Sequence, residues 1–201
     1  MSVFKHTMLS LDYAAKTWGD SEINFSLCMH DLGKRECYDL YGCAFGHESA
    51  GLPYINSFCD TWKIPNKFRS IALLVCEHHT RIHSCLGRGT NAAMRPKSLM
   101  KLFEATSATK KPERFEKILK ACIADARGRG ATPEQIAEFE SRPYPQADYL
   151  RECLQAVIDL DTKSISKEML DKGKSGVMIG ESIRVARIDA IRTITNKWRN
   201  L

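Results

Sequence analysis

The chain lacks long apolar runs. No stretch of its 201 residues approaches the roughly 20 consecutive apolar residues that a membrane-spanning helix needs. The segment from Met1 to Lys16 interrupts its short apolar stretches with Lys5, His6, Asp12 and Lys16, a pattern that fits neither a secretory leader nor a membrane anchor. These absences lead to the expectation of a cytoplasmic protein with no membrane partner. Close cysteine pairs are lacking too. The 8 cysteines stand at positions 28, 37, 43, 59, 76, 85, 122 and 153, and none forms a Cys-x-x-Cys pair. Most sit in apolar helical surroundings, as Cys28, Cys76 and Cys122 do, so reduced and mostly buried thiols are expected. Cys37, Cys43 and His47 share one loop but lack the close spacing of a structural zinc site. Also missing are strand-type alternation of useful length, internal repeats and low-complexity tails.

What is present suits an ordinary folded chain. Hydrophobic residues make up 43% and charged residues 27%, enough for a core in one large domain or two small ones. The net charge of +6 is compatible with a polyanionic partner, and supports a phosphate-bearing substrate only alongside other features.

Helical spacing dominates. Ser2 to Lys16 repeats apolar positions at Met8, Leu9, Leu11, Ala14 and Ala15, and Glu22 to Leu32 reads as a second helix stopped by Gly33. Arg35 to Gly46 reads as a loop rich in Gly, Cys and Tyr, and Glu48 to Trp62 as a third helix. Pro65 then suits the first turn of a helix from about Lys67 to His79. Gly87 to Pro96 reads as a polar turn, with Pro96, Pro112 and Pro133 each opening a helix. After the break Arg142-Pro143-Tyr144-Pro145, a helix runs from about Ala147 to Leu160. A Gly-rich segment, 173–180, leads into a long basic helix through Trp198. The expected fold class is all-α. The break near 141–146 divides a domain over residues 1–141 from a helical extension over 142–201.

The most informative motif is Met29-His30-Asp31-Leu32-Gly33-Lys34. An imidazole beside a carboxylate at a helix end offers one nitrogen and two oxygens to the same small volume, which suits one or two divalent cations. His6, His47, His79, His83 and Asp125 stand near ends or on faces of other predicted helices, and helix ends can meet in a bundle core. Nitrogen and carboxylate donors without thiolate favour Ni, Mn, Mg, Co, Fe or Zn. The chemistry this donor set serves is hydrolysis, with Asp31 as the natural bridge between two ions. Lys34, Arg127 and Arg129 are placed to hold phosphate oxygens. His78 is assigned to the core, since a lone histidine is more often structural.

The order His6, His30-Asp31, His47, His79, Asp125 resembles the HD-domain metal phosphohydrolase superfamily. Closer motifs are Cys28 to Lys34, Gly46-His47-Glu48-Ser49-Ala50-Gly51, Ile64-Pro65-Asn66, Lys111-Pro112-Glu113-Arg114, Ala124 to Arg129, Tyr144-Pro145-Gln146 and Gly173-Lys174-Ser175-Gly176. In that order they resemble the C-terminal HD region of bacterial CCA-adding enzymes, the tRNA nucleotidyltransferases. The likeness runs from His6 to about Trp198. It implies an HD-domain helical bundle with a C-terminal extension. It also implies 2′,3′-cyclic phosphodiesterase, 2′-nucleotidase or phosphatase action on nucleotides or RNA 3′ ends, tRNA among them.

On this basis His6, His30, Asp31, His47, His79 and Asp125 are the expected metal ligands. His30, Asp31 and Lys34 are the expected catalytic residues, and Lys34, His83, Arg127 and Arg129 the expected substrate contacts. The tail of such enzymes contacts tRNA, and Lys172, Lys174, Arg184, Arg187, Arg192, Lys197 and Arg199 form a candidate phosphate-facing stripe. Two departures stand out. The chain starts almost at the first histidine, without the nucleotidyltransferase head, so nucleotide addition is not expected. Where the relatives carry a second His-Asp pair, this chain has His79-Thr80. The alternatives are a non-catalytic tRNA-binding module serving a separate nucleotidyltransferase, and a hydrolase of a cyclic nucleotide second messenger.

Overall fold

A computed structural model describes residues 2–87 and 92–199. Of the predicted polar turn, residues 88–91 lie outside the described ones. Every described element is a helix: α1 Val3–Thr17, α2 Ser21–Met29, α3 Lys34–Tyr41, α4 His47–Thr61, α5 Asn66–His83, α6 Pro96–Thr106, α7 Pro112–Arg127, α8 Pro133–Ser141, α9 Pro145–Ile158, α10 Thr162–Asp171 and α11 Gly176–Arg199. The all-α expectation holds. No described helix is long and apolar enough to cross a membrane.

Side-chain caps start several of these helices. Ser2 accepts from the Lys5 amide, Asp20 from the Glu22 and Ile23 amides, Thr132 from the Gln135 amide, and Asp161 from the Lys163 and Ser164 amides. Each occupies amide donors that the first helical turn leaves without an intrahelical acceptor. Proline fits the same position in α6 and α8 because its missing N–H is not needed there.

The chain divides into two compact units, residues 1–86 with 113–147, and residues 87–112 with 148–201. In the first, α2 and α4 both pack on α5, α1 packs on α2, and α3 packs on α4. Ile23 and Leu27 of α2, Ile55 and Cys59 of α4, and Ile71, Val75 and Cys76 of α5 are fully buried between them. From α7, Phe115, Ile118, Leu119 and Cys122 join the core of this unit at helical spacing. In the second unit α6 and α10 pack on α11. Leu99, Leu102, Phe103, Leu150, Cys153 and Ile191 fill it, and the buried Tyr149 hydroxyl meets Thr195 Oγ1 at 3.0 Å.

Three readings of the sequence are corrected here. Arg35 to Gly46 is not all loop, because Lys34–Tyr41 is α3. Its only buried residue is Cys37, so the helix carries no apolar stripe that periodicity could detect. Cys28 is exposed, as is Cys43, while the other cysteines are buried and form no disulfide. The last helix starts at Gly176, so Gly176 and Gly180 belong to α11 and not to a segment before it.

Candidate metal centre

The second turn of α1, the C-terminal end of α2, the start of α4, the last turns of α5 and the last turn of α7 supply the site. Close backbone approaches bring them together. A side chain at Gly33 would run into the His47 carbonyl oxygen and the Gly51 amide, so glycine lets the α2–α3 junction lie directly on α4. A side chain at Gly128 would meet Ser10, so glycine lets the end of α7 reach α1. The second approach has a direct product: the Gly128 carbonyl accepts from His6 Nδ1 at 2.8 Å.

That bond is one of a set. His30 Nδ1 donates to the Leu27 carbonyl at 2.7 Å, His47 Nδ1 to Ala44 at 2.7 Å, and His79 Nδ1 to Val75 and Cys76 at 3.1 and 3.0 Å. A neutral imidazole carries one proton, so in each ring Nε2 is left as a bare lone pair. All four Nε2 atoms point at two carboxylates. His6 Nε2 is 2.8 Å from Asp125 Oδ1, and His30 Nε2 is 3.2 Å from Asp31 Oδ2 and 3.8 Å from Asp125 Oδ1. His47 and His79 Nε2 lie 3.4 and 3.7 Å from Asp31 Oδ1, and 3.2 Å from each other.

Two groups of three follow, His6 with His30 and Asp125, and Asp31 with His47 and His79, each with ligand atoms within 4.8 Å of one another and every residue buried. Asp31 belongs to both neighbourhoods, since Oδ2 faces His30 while Oδ1 faces His47 and His79.

The donor set fits a cation. Lone pairs on His6 Nε2 and Asp125 Oδ1, or on His47 and His79 Nε2, cannot sit this close without a proton or a metal between them. His30 Nε2 and Asp31 Oδ1 are buried without a hydrogen bond of good geometry, a condition that costs about 1–3 kcal/mol per group unless a ligand relieves it.

Charge follows the same logic. Burial would raise the Asp31 carboxyl, but the His30 and His47 rings and the Lys34 ammonium outweigh it and hold Asp31 far below the usual carboxylate range. Burial is likewise outweighed at Asp125, which the His30, His6 and His83 rings hold well below its ordinary value. Both are anions at neutral pH. Burial alone would depress His30 and His47, yet Asp125 and Asp31 raise the first and Asp31 raises the second. His79 behaves oppositely, since burial, with the charge of nearby His30 added, pushes it down to about 4.

The remaining predicted residues divide. Lys34 Nζ sits 2.6 Å from Asp31 Oδ2 with a quarter of its side chain in solvent. Arg129 reaches within 4.0 Å of Asp125 Oδ1 from a half-exposed position on the rim. Arg127 does not join them, because its guanidinium is bound to the Tyr13 hydroxyl and the Arg142 carbonyl, where it ties the end of α7 to α1 and to the break after α8. His83 comes to the centre in a different role from the one expected. Its Nε2 donates to Asp125 Oδ2 at 2.6 Å and its Nδ1 accepts from the Tyr144 hydroxyl at 2.7 Å, so no ring nitrogen remains for a substrate. His78 is buried but outside both groups, in keeping with a core role.

Cys37, Cys43 and His47 do not converge as a ligand group, because the two nitrogens of His47 are turned to Ala44 and to Asp31. Thr80, next to His79, donates to Glu48 Oε1 at 2.6 Å. Glu48 Oε2 is in turn 3.6 Å from His47 Nδ1. In the basic stripe, Lys172, Arg184, Arg192 and Lys197 are paired with Glu168, Glu104, Asp189 and Glu152, which removes much of its field.

Sequence reasoning missed two participants. Tyr144 and Glu48 were each seen only as part of a motif, and no spacing in the sequence signals that Tyr144 reaches back 61 positions to His83.

Fold and site together define an all-α protein with a buried, paired cluster of histidines and aspartates whose donor atoms suit a metal ion. Comparison with known proteins places it further. Over 194 residues the chain is 34% identical to a multifunctional CCA protein of Thioalkalivibrio sulfidiphilus, covering 96% of this chain and 43% of that protein. It is 36% identical over 191 residues to one from Methylococcus capsulatus, covering 94% and 41%. A third, from Burkholderia vietnamiensis, is 34% identical over 188 residues, covering 93% and 42%. The chain spans less than half the length of these relatives. It is thus related along nearly its whole length to a segment of the multifunctional CCA proteins, in agreement with the likeness carried by its motifs. No protein-family model matches the chain, and no solved structure matches it.

Proposed function

We propose that this chain is a metal-dependent phosphohydrolase that cleaves phosphomonoesters or 2′,3′-cyclic phosphodiesters of nucleotides, including the 3′ ends of RNA such as tRNA. One observation carries the reading. Four bare Nε2 atoms converge on two ionised carboxylates, and Asp31 turns one oxygen toward each ligand group. Ni, Mn, Mg, Co, Fe and Zn all accept such donors. Bound there, divalent ions lower the pKa of water and offset charge on phosphoryl oxygens.

The chain's own residues account for the rest. His6, His30 and Asp125 make one ligand group, and His47, His79 and Asp31 the other. Lys34 presents a point charge to a phosphoryl oxygen at the edge of the centre, and Arg129 a second cation on its rim. His83, fixed by Tyr144, holds the outer oxygen of Asp125 and keeps the inner one aimed at His6.

The test is hydrolysis of 2′,3′-cyclic AMP with Ni²⁺, Mn²⁺, Mg²⁺ or Co²⁺ added in turn. His30→Ala and Asp31→Ala should each lower kcat/KM by more than about 100-fold, because loss of outer partners alone costs 10–100-fold at metal sites. Parent-like rates in both variants would sink the proposal. A non-catalytic tRNA-binding module would instead give salt-dependent tRNA binding that survives chelation, with no turnover. A second-messenger hydrolase would separate from both by its substrate profile.

A further inference from the structure

Each half of the centre has its own outer support. On the Asp125 side it is His83, held by the Tyr144 hydroxyl. On the other side, Glu48 follows His47 at the start of α4, and Thr80 follows His79 near the end of α5. The Thr80 hydroxyl donates to Glu48 Oε1 at 2.6 Å. Glu48 Oε2 lies 3.6 Å from His47 Nδ1. Cys76, one turn before Thr80, donates its thiol to the Glu48 carbonyl at 3.4 Å. Glu48 is thus bonded to α5 through both its side chain and its main chain, and turns its remaining oxygen to the back of the His47 ring.

Glu48 does not sit where a ligand would. It faces Nδ1 of His47, the nitrogen that donates to Ala44, while the bare Nε2 points the opposite way, to His79 at 3.2 Å and Asp31 at 3.4 Å. Nor is the pair what joins α4 to α5, since Ile55 and Cys59 of one helix pack with Ala72 and Cys76 of the other in a buried apolar cluster. What the pair controls is local. A carboxylate behind a ligating imidazole fixes the ring and raises the basicity of the nitrogen in front, and the Thr80 hydroxyl holds that carboxylate by one oxygen.

We infer that Glu48 and Thr80 are a positioning pair for the ion that Asp31, His47 and His79 would hold, and that they leave the ion of His6, His30 and Asp125 untouched. The inference rests on the metal-centre part of the phosphohydrolase reading. It adds that the two halves are governed separately, each by its own outer pair.

Calorimetric titration of the full chain with Mn²⁺ tests this without turnover. Two backgrounds isolate the halves. His6→Ala keeps Asp31, His47 and His79, and His79→Ala keeps His6, His30 and Asp125. In the His6→Ala background, Thr80→Val keeps the branched shape, removes the hydroxyl and should weaken Mn²⁺ about 10–100-fold. Glu48→Gln, which still offers Thr80 an acceptor but has lost the charge, should weaken it as well. Thr80→Ser, which retains the hydroxyl, should bind within about threefold of the background. In the His79→Ala background, Thr80→Val and Glu48→Gln should change affinity by less than about threefold, whereas Tyr144→Phe should weaken it.

Equal weakening in both backgrounds, unchanged affinity in the His6→Ala background, serine behaving like valine, or a background that binds no Mn²⁺ would each overturn the inference. Losses confined to the His6→Ala background, in a protein that hydrolyses no phosphate ester with any metal, would uphold the pair and remove the hydrolytic reading. Both side chains are half-buried, and the serine variant reads the hydroxyl alone, whatever valine does to the fold.

Discussion

Replacing Gly33 with alanine is the most direct perturbation of the frame that holds the centre. The backbone there has φ −73°, which any residue adopts, so the penalty is one of space. The added Cβ would lie 2.1 Å from the His47 carbonyl oxygen, 2.6 Å from the Gly51 nitrogen and 3.0 Å from the Ala50 carbonyl carbon. All three are backbone atoms of α4 and cannot rotate away. Ordinary contact requires α4 to withdraw by roughly 1.3 Å. Overpacking of this kind costs about 1–3 kcal/mol. At about 2–4 °C per kcal/mol for a chain of this size, Tm should fall by roughly 2–12 °C.

The same displacement carries His47 away from Asp31, a pair now 3.4 Å apart, and should weaken metal binding by about 10–100-fold, the range seen when a ligand loses its support. Gly180→Ala is the control. It lies within α11 with open space around it, so alanine should raise stability by up to about 1 kcal/mol and leave metal affinity alone. Differential scanning calorimetry with and without Mn²⁺, followed by metal titration, reads both quantities. A Gly33→Ala protein with the parent's Tm and metal isotherm would refute the idea that this approach sets the geometry of the centre.

Two further predictions follow from the outer bonds and from charge. Tyr144→Phe keeps the half-buried ring but removes the hydroxyl, which burial keeps protonated and which donates to His83 Nδ1. Metal affinity and kcat/KM should fall about 10–100-fold with the fold intact, and unchanged metal affinity in a titration would count against this role. The dependence on pH should differ between the metal-free and metal-loaded protein. Because His30 and His47 are raised above 6.5, their protonation stabilises the metal-free fold fully below 6.5, and that contribution is lost as pH rises through their folded values. Metal binding must displace the same protons, so it strengthens over the same interval. The rise in Tm on adding metal should therefore grow as pH increases above 6.5. His79, pushed down to about 4, acts only below that window. A metal-induced Tm shift that is flat or shrinking with pH would contradict the assignment.

Most helices were legible where an apolar stripe or a punctuating residue marked them, but α10 was not read from the sequence although Asp161 caps its start. Ile71, Ala72 and Val75 of α5 recur on one face, and proline opens α6 and α8 in plain view. α3 was not legible, because Cys37 is its single buried residue and no capping side chain announces its start. Residue types offered the candidate donors of the centre, and the resemblance of their order to HD-domain proteins grouped them. What could not be read is which nitrogen of each ring faces inward. That depends on main-chain carbonyls three or four residues away, or in the case of His6 on Gly128 across the fold. Nor could the sequence separate Arg129, which reaches the rim, from Arg127, which is consumed by Tyr13 and Arg142. Only Gly128 stands between the two, and the turn of the chain there sends them different ways.

The Nδ1–carbonyl bonds of the four rings have an evolutionary consequence. Because the backbone aims these rings, neighbouring side chains are free to drift without turning a donor away. Distant relatives can therefore keep the same donor directions on thoroughly different cores, provided the helix ends stay in register. The same dependence makes the centre a gauge of the scaffold: a bundle that loosens by a fraction of an ångström would lose its grip on an ion before it lost its helices.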